Sequence, residues 1–197
     1  MVKNNYFGDT KFDKAYFTGK SSCGYTGGYS KETLEKAGDC YYTEFKKDAK
    51  FICSLGIKTY LEIGCACGYL MEELIKYGVK VKGWDVSEYI IKKADSSVRS
   101  FIKLKDIIEI VSLPDKSFDL VHVSNVLGYI EKNELDFYLS QISRVAKRYA
   151  ILYVGTPEDT PEENIIRKIN HSDEWWNKRY GKYFKEKDLS RFLWEVI

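Results

Sequence analysis

The sequence predicts an α/β fold: a mostly parallel sheet flanked by helices, preceded by an aromatic N-terminal arm. Three observations predict it. The stretch Tyr60-Leu61-Glu62-Ile63-Gly64-Cys65-Ala66-Cys67-Gly68-Tyr69-Leu70 reads as an apolar strand, a bend of small residues and the start of a helix. Further apolar runs follow at residues 79–86, 101–107, 118–123 and 150–154, separated by segments of helical period. That order gives parallel strands joined by crossover helices. Residues 1–38, in contrast, set Phe12, Tyr16, Phe17, Tyr25 and Tyr29 among glycines, too aromatic for a solvated tail.

The 197 residues suffice for one well-buried domain, with residues 1–38 as an arm or lid and 39–197 as the domain proper. A hydrophobic content of 44% and a charged content of 30% belong to a globular chain. The net charge of +2, without a dense Lys or Arg run, argues against a nucleic-acid partner. No apolar run approaches the roughly 20 residues that cross a bilayer, and the first residues lack a signal-peptide core, so a cytoplasmic location is expected. The five cysteines, Cys65-Ala66-Cys67 among them, lack the spacing of a metal or redox site and read as small apolar thiols; no metal is expected.

Taken in order, Tyr42, Phe45, Ala49 and Ile52 recur at helical spacing, which predicts a helix over 39–55 stopped by Gly56. Lys58 to Ile63 is the first strand, and Tyr69 to Tyr77 the first crossover helix, ended by Gly78. The second strand ends at Asp85, and Ser87 suits the cap of a helix from Glu88 to Ala94. A short strand ends at Asp106. The polar turn at Pro114 leads into a buried strand from Phe118 to Val123, where Asp119 should fix the strand start. Asn133 opens a helix carrying Leu135, Leu139, Ile142 and Val145 on one face. Ala150 to Val154 is the fifth strand, Ser172 or Asp173 caps a helix containing Trp175 and Trp176, and residues 192–197 predict an edge strand.

The bend carries the chemistry. Gly64, Ala66 and Gly68 lack bulk where a backbone passes close to a ligand. Glu62 precedes them, and a carboxylate there would repel a pyrophosphate and suit a ligand bearing positive charge. Glu62-Ile63-Gly64-Cys65-Ala66-Cys67-Gly68 resembles the first motif of class I methyltransferases dependent on S-adenosyl-L-methionine (SAM), with Ala66 in place of the usual middle glycine. Leu113-Pro114-Asp115-Lys116-Ser117-Phe118-Asp119-Leu120-Val121 resembles a later segment of the small-molecule type, and the resemblance covers about residues 40–155.

That resemblance implies a Rossmann-like sheet of about seven strands and SAM as the cofactor. It implies cofactor contacts at Glu62, Gly64, Cys65, Ala66 and Gly68, and at Asp85 and Val86 in the second motif, where the carboxylate would accept from ribose hydroxyls. It places Asp106 against the adenine amino group, Ile107 on the ring, and Ser124 at the strand end beside the reaction centre. Tyr16, Tyr25 or Tyr29 of the arm would offer a hydroxyl to the cofactor carboxylate; alternatively these rings only cover the sheet edge. Leu127-Gly128-Tyr129 stands where many relatives have Leu-Glu-His, so that histidine's role does not transfer. A hydroxyl acceptor benefits from a general base, for which His171 is the first candidate and Tyr129 the second, His122 lying in a buried strand. The expected activity is methyl transfer to a small molecule, such as a sugar or natural-product hydroxyl or amine. The alternatives are a non-catalytic SAM- or nucleotide-binding protein and an NAD(P)-dependent oxidoreductase, the latter disfavoured by Glu62 and by the spacing of the bend.

Overall fold

The structure, a computed structural model, describes residues 12–20, 28–37, 44–155 and 166–197. Tyr25 and the cysteines Cys23 and Cys40 lie outside these residues. In the arm, for which the sequence predicted no helix, α1 (Lys14–Phe17) and α2 (Lys31–Ala37) are helical. The local reason for α1 is a cap: Asp13 Oδ1 accepts the Tyr16 N–H at 3.1 Å. Then come α3 (Phe45–Ser54), β1 (Thr59–Ile63), α4 (Tyr69–Lys76) and β2 (Lys80–Asp85). The helix expected from Glu88 to Ala94 ends early, as α5 (Glu88–Ile91), and beyond it Asp95 caps a separate turn, α6 (Ser96–Arg99). β3 (Ile102–Leu104) leads into a 3-10 helix at Ile107–Ser112. β4 (Phe118–Ser124), α7 (Leu135–Val145), β5 (Ala146–Tyr153), α8 (Asp173–Tyr180), β6 (Phe184–Asp188) and β7 (Leu193–Val196) complete the chain.

The strands form one seven-stranded sheet in the order β3-β2-β1-β4-β5-β7-β6. β1 to β5 are parallel, while β7 runs antiparallel to β5 and β6. The C-terminal strand is therefore interior rather than an edge. β6 takes the edge, and its Phe184-Lys185-Glu186-Lys187-Asp188 suits that place, since exposed charges there block further pairing. With one apolar residue it carries too little period-2 pattern to be read as a strand.

Alternation along the strands sorts the core into two layers. Leu61 and Ile63 face α7 and α8, packing with Tyr138, Leu139, Ile142, Trp176 and Tyr180. Tyr60 faces the other way, with Ala49 and Ile52 of α3 and Leu70, Met71 and Leu74 of α4. Asp119 does fix the strand start: its Oδ2 accepts the Lys58 and Thr59 N–H groups at 2.7 and 3.0 Å, tying β1 to β4. The chain order reverses between β1 and β4, which opens a crevice beyond their C-terminal ends, the usual ligand site of such sheets.

Candidate functional site

A cavity fills that crevice, and the bend after β1 forms its floor. Gly64 and Gly68 have φ of 78° and 70°, and Ala66 has φ of 47°. A Cβ added to Gly64 would stand 2.3 Å from Val126 Cγ2, so glycine is required there twice over. The Gly64 and Cys65 N–H groups both donate to Trp84 O, at 2.7 and 3.0 Å, which folds the bend back onto the end of β2. Asp85 then staples it. Its Oδ2 accepts the Ala66 N–H at 2.8 Å and its Oδ1 the Ser87 N–H at 2.9 Å. Burial pushes this carboxyl up to about 6, against the pull of those N–H groups.

Most of the expected ligand-binding residues meet in this one cavity. Gly64, Ala66, Asp85, Val86, Asp106, Ile107, Ser124, Tyr16, Tyr29 and Tyr129 all line it. Asp106 also caps the 3-10 helix, its Oδ1 accepting the Ile108 N–H at 3.0 Å. Phe12, Tyr16, Phe17 and Tyr29 of the arm contribute to the cavity lining. The Tyr16 and Tyr129 hydroxyls lie 3.2 Å apart, and Phe12 packs edge-on against Tyr129 with ring centres 5.2 Å apart. Tyr29 stacks on Tyr69 of α4, and Lys31 reaches Glu73 at 3.2 Å, so the arm is anchored on both sides of α2's start. Lys105, Ile63 and Ile130 line the cavity too and were missed. Ile63 and Ile130 carry no signal beyond apolarity. Lys105 immediately precedes Asp106, and that adjacency could have identified it.

Four expected residues lie elsewhere. Cys65 is buried beneath the bend, against Gly83, and burial raises its thiol well above the ordinary range, so it is packing. Gly68 serves close helix–strand approach: a Cβ there would meet Ile102 and Val98 at 3.0 and 3.2 Å. His171 sits outside the cavity, stacked on Trp175 at 4.1 Å with its Nε2 3.0 Å from Lys132 Nζ. Burial and the neighbouring Lys132 and Arg179 lower its pKa.

Glu62 is the more instructive case, because it does not line the cavity. Strand alternation puts it on the Tyr60 face, opposite His122 in β4. Its Oε1 lies 3.8 Å from His122 Nδ1, which the Tyr60 hydroxyl approaches at 2.6 Å. Burial pushes the Glu62 carboxyl up to about 8 and the His122 imidazole down to about 3. At neutral pH both groups are uncharged, so their closeness is no ion pair. A folded pKa above the unfolded value of 4.5 means that the native state holds a proton the unfolded chain has released. Glu62's contribution to stability should therefore fall by roughly 2 to 4 kcal/mol as pH rises from about 5 to 8, offset in part below about pH 6.5 by His122, whose lowered pKa acts with the opposite sign. In Glu62→Gln, urea unfolding across that range should show this slope flattened and ligand affinity within threefold of wild type. A tenfold loss of affinity would instead put the carboxylate at the ligand.

Among the described residues, no group of three or more His, Cys, Asp or Glu could hold a metal ion, and no helix is long and apolar enough to cross a membrane.

Comparison with known proteins follows the same lines. Residues 61–154 match a family model described as a methyltransferase domain. The chain is 27% identical over 135 residues to a protein of Arabidopsis thaliana named probable pectin methylesterase CGR2, covering 62% of this chain and 51% of that protein. It is 30% identical over 110 residues to the ubiquinone biosynthesis O-methyltransferase of Pelagibacter ubique, covering 54% of this chain and 45% of that one. The chain thus spans about half the length of the curated relatives it matches. Among solved structures, magnesium protoporphyrin IX methyltransferase from Synechocystis PCC 6803 with bound SAM superposes with a TM-score of 0.62 at 17% identity, over 95% of this chain and 91% of that one. A SAM-dependent methyltransferase from Archaeoglobus fulgidus gives 0.59 at 21% identity, over 80% and 79%. These two likenesses concern the fold. The family match identifies residues 61–154 as a methyltransferase domain, and the sheet order and the bend are those of a Rossmann-like α/β fold.

Proposed function

We propose that the chain is a SAM-dependent methyltransferase that acts on a small-molecule acceptor in the cytoplasm. The observation that carries this reading is convergence. The bend after β1, Asp85 at the end of β2 and Asp106 after β3 all face one cavity, with Tyr16 and Tyr29 of the arm over it. When bound, SAM supplies a methyl group already activated on a sulfonium. The protein's part is to bind, orient and keep out water. Asp85 would accept from the ribose hydroxyls with the lone pairs that Ala66 and Ser87 leave, Asp106 and Ile107 would hold the adenine, and the bulk-free bend would take the methionyl part. Tyr16 and Tyr29 would close the lid, one hydroxyl reaching the cofactor carboxylate. Tyr129 stands at the reaction end of the cavity, whereas His171 is too far out on the surface for a base role at that end. The partly roofed cavity and the small net charge favour a small acceptor over nucleic acid.

Calorimetry tests both the cofactor and the lid. SAM and S-adenosylhomocysteine should bind with a Kd of roughly micromolar order, and NAD should not bind. Removing residues 1–30 should weaken SAM by more than tenfold. Failure to bind SAM at millimolar levels sinks the functional reading; unchanged affinity in the truncated chain removes only the lid.

A further inference from the structure

One corner of the sheet is left open. Register with Leu61 and Ile63 puts Lys82 and Trp84 on the face that α7 and α8 pack, and alternation adds Lys80. Trp84 pairs with Lys103 of β3, which brings Lys103, and with it Phe101 and Lys105, to the same face. Parallel sheets are ordinarily covered on both faces by their crossover helices. Here the β3–β4 crossover holds only the six-residue 3-10 helix Ile107–Ser112. A groove remains, lined by these four lysines with Trp84, Phe101 and Leu113. Lys105 pairs with Glu109 at 3.4 Å, and Lys82 leans over the Phe118 ring. Lys80, Lys82 and Lys103 are exposed and make no ion pair among the described residues.

The border of the groove is apolar, and its outer edge is unpaired. Of the six large apolar side chains exposed among the described residues, four belong to the segments that form it: Tyr77, Phe101, Leu104 and Val111. β3 is the last strand of the sheet on this side. The Gly83 N–H donates to Phe101 O and the Lys105 N–H to Asp85 O, both at 3.0 Å, so the odd-numbered residues of β3 turn their main-chain groups to β2. Those of Ile102 and Leu104 point outward, where none of the described strands stands.

We propose that this corner is a docking surface for an acidic segment of a partner protein, bound in extended form along the outer edge of β3. Main-chain bonds to Ile102 and Leu104 would add the segment to the sheet as one more strand. Its alternate side chains then fall on the lysine face, where carboxylates meet Lys103, with Lys80 and Lys82 one strand further in. The side chains between them face Leu104. A single surface ion pair is worth little. Several, joined to main-chain bonds, give a binding that salt weakens. Pairing with the same edge of a second copy would set lysines against lysines, which is unfavourable. A nucleic acid or a lipid surface would meet the lysines and leave the outward main-chain groups of β3 unmet. The proposal is independent of what the cavity binds.

The probe is a fluorescein-labelled peptide of alternating glutamate and valine, titrated with the full chain and read by anisotropy. It should bind, and raising the salt from about 0.05 to 0.5 M should weaken it at least tenfold. A peptide with lysine in place of glutamate should not bind, and one with the same residues in block order should bind at least tenfold more weakly. The double variant Lys80→Glu, Lys103→Glu should also bind at least tenfold more weakly, with the melting temperature of the wild type, since neither lysine holds an ion pair among the described residues. Leu104→Pro removes one outward N–H and leaves the ladder to β2, a change that an edge strand accepts. It should cost at least tenfold in affinity, and Leu104→Ala, which keeps that N–H, should cost less. Absence of binding by the alternating peptide would mean that the lysines only guard an open edge, and it overturns the proposal. So does equal binding by the block-order peptide, by the double variant or by Leu104→Pro. A single-stranded oligonucleotide or phosphatidylserine vesicles bound more tightly than the peptide would overturn it in favour of another class of partner.

Discussion

Gly64→Val is expected to abolish SAM binding and to destabilise the domain at the same time. The added side chain meets two separate obstacles. The backbone at Gly64 has φ of 78°, a left-handed conformation that costs a residue with a Cβ about 1–2 kcal/mol. The Cβ would also lie 2.3 Å from Val126 Cγ2, and overpacking of that kind costs a further 1–3 kcal/mol. Relief of either clash moves the bend or Val126, and both are cavity wall. Urea unfolding should show a loss of about 2–5 kcal/mol, and calorimetry an affinity reduced more than a hundredfold. Gly78→Ala is the control. Its φ is 76°, yet nothing lies within 4 Å of the added Cβ, so only the backbone cost should be seen and affinity should stand. Affinity within tenfold of wild type in Gly64→Val would mean that this bend is not the ligand's floor.

Asp85→Asn should lower SAM affinity about a hundredfold, through the loss of one structural and one ligand-directed acceptor. The carboxylate holds Ala66 N–H on one oxygen and Ser87 N–H on the other. An amide has a single oxygen, so one N–H would face an NH2 group instead. Two ribose hydroxyls donating to a charged oxygen are worth about 1.5–3 kcal/mol each, and losing one of them corresponds to that fold-change. The pH dependence supplies a second reading. Burial holds the Asp85 pKa at about 6, so wild-type affinity should decline as pH falls through 6, and the asparagine variant should be flat there. The stability effect has the opposite sign. A folded pKa above the unfolded 3.8 makes the native state lose stability as pH rises from about 4 to 6. A hydrogen-bond role toward the ligand would be excluded by a wild-type affinity independent of pH between 5 and 7.

Much of the fold and part of the site were legible in the residues. The strand–bend–helix unit, Asp85 at the end of β2 and Asp119 at the start of β4 are local patterns, and each has the structural place expected of it, whereas Asp106 falls past the end of β3 and caps a 3-10 helix. β6 was not legible, because a charged edge strand has no hydrophobic alternation to betray it. The helices of the arm, 4 and 7 residues long, are too short for an apolar period to show.

Glu62 shows where such reading stops. Its spacing from Gly64 is a sequence fact, but the direction of its side chain depends on strand alternation and on His122 across the sheet. The sequence by itself determined the order of β1 to β5 and of the helices α3, α4 and α7, the small-residue bend and the acids that follow it, since these rest on periodicity and backbone sterics within a few residues. Tertiary structure alone decided that Glu62 turns away from the cavity and that side chains of the arm join its lining. Those outcomes are set by contacts between residues distant in the chain, whose free energies no local pattern encodes.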